Sequence, residues 1–80
     1  MRLDKYLKVS RIIKRRTIAK EIVDKGCVLI NEKPAKASSL VKIGDILTIK
    51  SNTKCAKYLV KNIFEYATEE KAKLMFEILE

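Results

Sequence analysis

Apolar positions recur every three or four residues up to Gly26 and every second residue after it. In "RLDKYLKV" Leu3 and Leu7 stand one helical turn apart with Tyr6 beside them, and Asp4 and Lys8 have the favourable acid-first i,i+4 order, which predicts a short helix over residues 2–9. "SRIIKRR" interrupts it: Ser10 disfavours a helix interior, and Ile12 and Ile13 can plug into a core beneath a ring of cations. "TIAKEIVDKG" predicts a second helix, with Thr17 as N-cap, Ile18, Ala19, Ile22 and Val23 as one apolar stripe, and Gly26 at the left-handed C-cap position. "CVLIN" then reads as a short strand, "NEKP" as a turn, Gly44-Asp45 as another turn, and Ile46 to Lys50 as a strand. "CAKYLVKNIF" has the β-branched and aromatic content of a third strand. In "TEEKAKLMFEILE", Thr68 as cap, Glu69 and Glu70 at the positive end of the dipole, and Ala72, Met75, Phe76 and Leu79 at i, i+3, i+4, i+7 predict a last helix. The order is helix, helix, small antiparallel sheet, helix: a single α+β domain.

Eighty residues bury a thin core, and staples are not expected. Cys27 and Cys55 can form at most one bridge, and without histidine there is no zinc spacing, so neither metal nor cofactor is expected. Both cysteines read as core filler rather than reactive thiols. No apolar run approaches the roughly 20 residues of a membrane span, and the first residues do not resemble a signal peptide. A cytoplasmic, reduced, monomeric protein is the expectation.

Charge changes the picture more than composition does. Residues 1–25 carry nine Lys/Arg against three acids, residues 26–50 four against two, and residues 51–80 five against five. The net +8 is therefore a pole and not a general solubility coating. A cationic pole on folded sequence favours a polyanion, nucleic acid before anionic membrane; the plain alternative is a solvated charged face.

Catalytic readings fail on residue types. The sequence has no histidine, no paired-carboxylate motif, no glycine-rich phosphate loop and no serine in a nucleophile context, so no catalytic residue is assigned. Asp4, Asp24 and Asp45 read as a helix pair, a helix end and a turn. The cations differ. Arg2 and Lys5 lie near one another on the first helix, Arg11, Lys14, Arg15 and Arg16 run through the inter-helix turn, and Lys20 lies one turn beyond Arg16. Turning Leu3, Leu7, Ile18 and Ile22 inward forces these cations onto one outer surface. Arginine grips phosphate oxygens with a planar fork, lysine adds unoriented charge, and the helix start beside Thr17 adds backbone N–H groups. Tyr6 is the pole's one aromatic residue and can equally pack inward, which argues for double-helical nucleic acid read by backbone and shape over a stacked single strand.

"RLDKYLKVSRIIKRRTIAKEIVDKGCVLIN" followed by "KASSLVKIGDILTI" resembles the RNA-binding domain named after small-subunit ribosomal protein S-four, the αL motif, over about residues 1–50. Within that superfamily the pattern looks like the RqcP (YabO) family, related to the fifteen-kilodalton heat-shock protein. The resemblance implies residues 1–50 as the RNA-binding core and residues 51–80 as a strand and helix extension of the same domain. It implies a non-catalytic factor on the large ribosomal subunit in ribosome-associated quality control. Such a factor contacts large-subunit rRNA and P-site peptidyl-tRNA and supports an RqcH-type tailing factor that adds alanine tails to stalled chains. Arg2 and Arg16 carry over first, then Lys5, Arg11, Arg15 and Lys20, with Lys36 and Ser38 on the adjoining loop; Lys14 and Thr17 complete the expected surface. The family's turn after the first strand is commonly Asn-Gly and here reads Asn31-Glu32, which speaks against a tight two-residue hairpin.

Other functions compete. A heat-shock-type ribosome recycling or assembly factor would use the same surface. An accessory module of an RNA-modifying enzyme is disfavoured because the chain leaves no room for a catalytic domain. A basic membrane-surface protein is disfavoured because Ile18, Ile22 and Val23 are needed for the core.

Overall fold

Gly26 is the joint at which the helical half becomes a sheet. The computed structural model describes residues 1–79. Two helices, α1 (Leu3–Val9) and α2 (Arg16–Asp24), precede the strands β1 (Val28–Ile30), β2 (Lys33–Pro34), β3 (Ile46–Lys50) and β4 (Cys55–Val60). A single helical turn, α3 (Glu69–Ala72), leads into β5 (Phe76–Leu79). The strands form one antiparallel sheet in the order β2-β1-β3-β4-β5. The α+β architecture expected from the element order is the one observed.

Gly26 ends α2 with φ +78°, its N–H donating to the Val23 carbonyl at 2.9 Å while Cys27 N–H reaches the Ile22 carbonyl at 3.0 Å. This pair of bonds is a Schellman cap, which needs a left-handed residue and so favours glycine. One core joins the layers: Leu3, Tyr6 and Leu7 of α1, Ala19 and Val23 of α2, Val28, Leu47 and Val60 of the sheet, and Met75 before β5. The stripe of α2 is rotated from the expected one. Ala19 and Val23 are buried and Ile22 half-buried, but Ile18 is 44% exposed.

The last segment corrects the sequence reading most. Only Glu69–Ala72 is helical, capped as expected by Thr68, whose side chain accepts from Lys71 N–H at 3.2 Å. Phe76 to Leu79 are a strand, pairing Val60↔Phe76, Leu59↔Glu77, Tyr58↔Ile78 and Lys57↔Leu79. "MFEIL" suits either period, and an open edge of β4 beside it supplies backbone partners that a longer helix would forgo. The Met75 carbonyl is the knot of this segment. It accepts from the Tyr6 hydroxyl at 2.6 Å and from the N–H groups of Lys61 and Asn62 at 2.8 and 3.2 Å. Tyr6 is thus fully buried. Burial pushes its phenol far above the usual range, so it stays a donor.

Three smaller corrections follow. Thr17 does not cap α2: the helix starts at Arg16, Arg15 is its N-cap in extended conformation, and Thr17 is an exposed residue of the first turn. Cys55 is exposed and Cys27 half-buried, both free thiols; Cys55 opens β4 directly after the exposed turn 51–54. The β1–β2 hairpin is tight despite Asn31-Glu32, with both residues left-handed (φ 50° and 68°) and Ile30 facing Lys33. The Asn31 side chain holds this turn, donating to Asp45 at 3.0 Å and accepting from Ile46 N–H at 2.9 Å.

Candidate nucleic-acid interface

The interface is organised around a carboxylate that the sequence reading had paired with Lys8. Asp4 pairs with Arg2 and Arg16 in place of Lys8, its side chain 4% exposed. It accepts from Lys5 N–H at 2.8 Å, from Nε and Nη2 of Arg2, each at 3.2 Å, and from Arg16 Nη2 at 3.4 Å, with Arg16 Nε also 3.4 Å away. Starting α2 at Arg16 is what brings that guanidinium to Asp4. Both arginines grip the carboxylate side-on, through the Nε edge. Among the described residues the Nη1 edge of each has no partner, and the two side chains are 49% and 47% exposed. Burial raises the affinity of Asp4 for a proton. The hydrogen bond from Arg16, the Lys5 N–H and the charges of both arginines outweigh that and hold the carboxyl below its usual range. Two guanidinium forks are therefore fixed in orientation by a buried anion and open outward, the geometry that suits bidentate phosphate contacts.

Backbone bonds attach the adjoining loop to this corner. Leu3 N–H donates to Ser39 carbonyl at 2.8 Å, Asp4 N–H to Ala37 carbonyl at 3.2 Å, and Arg2 forms a bridge with Leu40. Within the loop, Lys36 N–H donates to Ser39 Oγ at 2.9 Å and Ser39 N–H returns to the Lys36 carbonyl at 3.0 Å. A groove of about 510 Å³ results, lined by Arg2, Lys20, Lys36 and Ser38 among others. Four of the residues singled out in the sequence, distant in the chain, meet there.

The remaining predicted residues distribute around the corner. Arg15 and Thr17 are exposed on the first turn of α2. Arg11 is exposed in the inter-helix turn at φ 63°, a left-handed conformation where glycine is usual, and Lys14 is exposed beside it. Both line a second hollow at the C-terminal end of α1. Lys5 is not a free cation: its Nζ pairs with Glu65, whose carboxyl the Lys5 hydrogen bond and charge draw below the usual range. The sequence reading missed Asp4 as the organiser, Glu65 as the partner of Lys5, and Tyr66 next to it. No periodicity reports the last two, which arrive from a loop some 60 residues away in the chain. No cluster of His, Cys, Asp or Glu among the described residues is arranged to hold a metal ion, and no described helix is long and apolar enough to cross a membrane.

A family model described as the S4 domain matches residues 1–47, the stretch that builds α1, the arginine pair, α2 and the loop pinned to them. The chain belongs to the S4 domain family. This S4 domain protein is 51% identical to the RQC P-site tRNA stabilizing factor of Bacillus subtilis (strain 168) over 79 residues, covering 99% of the chain and 92% of that relative. It is 45% identical to the protein of the same name from Halalkalibacterium halodurans, covering 98% of the chain and 89% of the relative. Among solved structures it is similar to the trimeric structure of Vibrio cholerae Heat Shock Protein 15, with a TM-score of 0.89 at 28% identity, covering 99% of this chain and 81% of that one. The fifth strand thus sits within the aligned span of these S4 domain relatives.

Proposed function

We propose that this S4 domain protein is a non-catalytic RNA-binding factor of ribosome-associated quality control. It binds large-subunit rRNA and a P-site peptidyl-tRNA on the large ribosomal subunit, in the cytoplasm, and supports an RqcH-type factor that adds alanine tails. The observation that carries the RNA contact is the pair Arg2 and Arg16, held side-on by buried Asp4 with their outer edges open. Lys20, Lys36 and Ser38 extend the contact along the groove, and Arg11, Lys14, Arg15, Thr17 and Lys5 flank it. The ribosomal assignment draws on the names of the full-length relatives. In this reading residues 1–50 are the RNA-binding core and the rest of the chain an extension of the same domain, acting as a monomer.

A second reading, a heat-shock-type recycling or assembly factor, is favoured by the fold likeness to Vibrio cholerae Heat Shock Protein 15. Sedimentation of the protein with intact ribosomes, with free large subunits, and with large subunits carrying peptidyl-tRNA tests both. The proposed function requires enrichment on the tRNA-bearing subunit and loss of alanine tailing when the protein is removed. Equal binding to empty subunits with unchanged tailing supports the second reading, and no subunit binding refutes both.

A further inference from the structure

At the C-terminal end of α1 lies a hollow of about 580 Å³, within the roughly 300–1,000 Å³ range of small-ligand sites. Lys8, Arg11 and Lys14 line it from the α1 end and the inter-helix turn, Tyr66 and Ala67 from the segment before α3, and Glu69 from the first position of α3. None of the three cations has a carboxylate within 4 Å among the described residues. Arg11 has a left-handed backbone (φ 63°), a conformation that glycine adopts more easily. Tyr66 is 86% exposed, so most of its ring is open to a ligand. Its loop is tied back to α1 by the Lys5–Glu65 ion pair, and Lys5 Nζ sits 5.7 Å from the Tyr66 ring centre.

An anchored open ring beside three unpaired cations differs from the aromatic-free arginine corner. We propose that this hollow takes a single unpaired nucleotide of the bound RNA, its base stacked on Tyr66 and its phosphates met by Lys8, Arg11 and Lys14. This inference rests on the RNA-binding reading above and adds to it a site for unstacked sequence beside the face that meets folded RNA. Glu69, on the Tyr66 side of the hollow, disfavours a second phosphate there and can accept from a base amine.

The test uses the full chain and two RNA duplexes of separate strands, identical except that one carries a single bulged nucleotide, with binding followed by fluorescence anisotropy at fixed salt. The wild type should prefer the bulged RNA by about tenfold, in line with the loss of one base–aromatic stack. Tyr66→Ala should remove the preference while leaving affinity for the fully paired duplex unchanged, and Tyr66→Phe should retain it. Tyr66→Trp should bind the bulged RNA with quenched indole emission, which a merely structural tyrosine would not produce. Equal affinity for both RNAs overturns this inference alone, as does a preference that survives Tyr66→Ala. Failure to bind either RNA removes the RNA reading and this one with it. A Tyr66→Ala defect seen only with a protein partner also overturns it, placing a protein contact there instead.

Discussion

Asp4→Asn separates two roles that charge alone would confuse. The substitution removes the anion but keeps the shape, and raises the net charge by one above +8. If binding depended on total cationic charge, affinity for a polyanion would rise. The geometry requires the opposite. Asp4 orders two arginines whose side chains each cost about 0.5–1.5 kcal/mol to immobilise, so their release should weaken RNA binding by roughly tenfold. Stability should fall as well. A unit ion pair near 4 Å attracts by about 4 kcal/mol at an effective dielectric of about 20. Half-exposure of both guanidiniums and the cost of burying the carboxylate offset much of that, leaving about 2 kcal/mol. The pH dependence has a fixed sign. Because the folded carboxyl titrates below its ordinary 3.8, its stabilisation is present above that pH and is lost as pH falls through the folded value. Urea unfolding should therefore show the wild type more stable at neutral pH, with the gap closing in acid. Anisotropy with a structured rRNA fragment reads the other half. Tighter or unchanged binding by Asp4→Asn would refute the idea that the arginines are pre-ordered.

Three further substitutions probe the scaffold. Tyr6→Phe leaves one of three donors missing from the Met75 carbonyl and should cost about 1–2 kcal/mol in urea unfolding, with no change in RNA affinity. Thr48→Val replaces a buried hydroxyl that has no hydrogen-bond partner among the described residues and should stabilise the protein by about 1 kcal/mol; a loss in the thermal midpoint would contradict it. Gly26→Ala meets no atom within 4 Å, so its whole effect is the left-handed backbone, about 1–2 kcal/mol of destabilisation by the same assay.

Where the sequence reading succeeded, local chemistry decided the structure. Leu3, Tyr6 and Leu7 make α1, the glycine after Lys25 stops α2, and alternation from Ile46 to Lys50 makes β3. Where it failed, a distant partner decided. Phe76–Leu79 becomes a strand because β4 offers an edge, and Ile18 turns outward while Ala19 and Val23 take the buried face of α2. At the site, residue type and clustering pointed to the cations, but not to what orients them. Asp4 looks like the first half of an i,i+4 pair with Lys8; its burial and its bond to Arg16, twelve positions on, exist only after the two helices pack. Tyr66 sits in the charge-balanced third of the chain and reaches the cationic pole by folding alone.

The central claim is that Arg2 and Arg16 meet phosphate. The salt dependence of binding to large subunits carrying a P-site tRNA tests it most directly, for the wild type and the Arg2→Ala/Arg16→Ala variant. Each phosphate contact steepens the fall of log K with log salt by about 0.7–0.9. The variant should bind more weakly at physiological salt, with a slope shallower by about two contacts. Equal affinity and an equal slope for the two proteins would contradict the account.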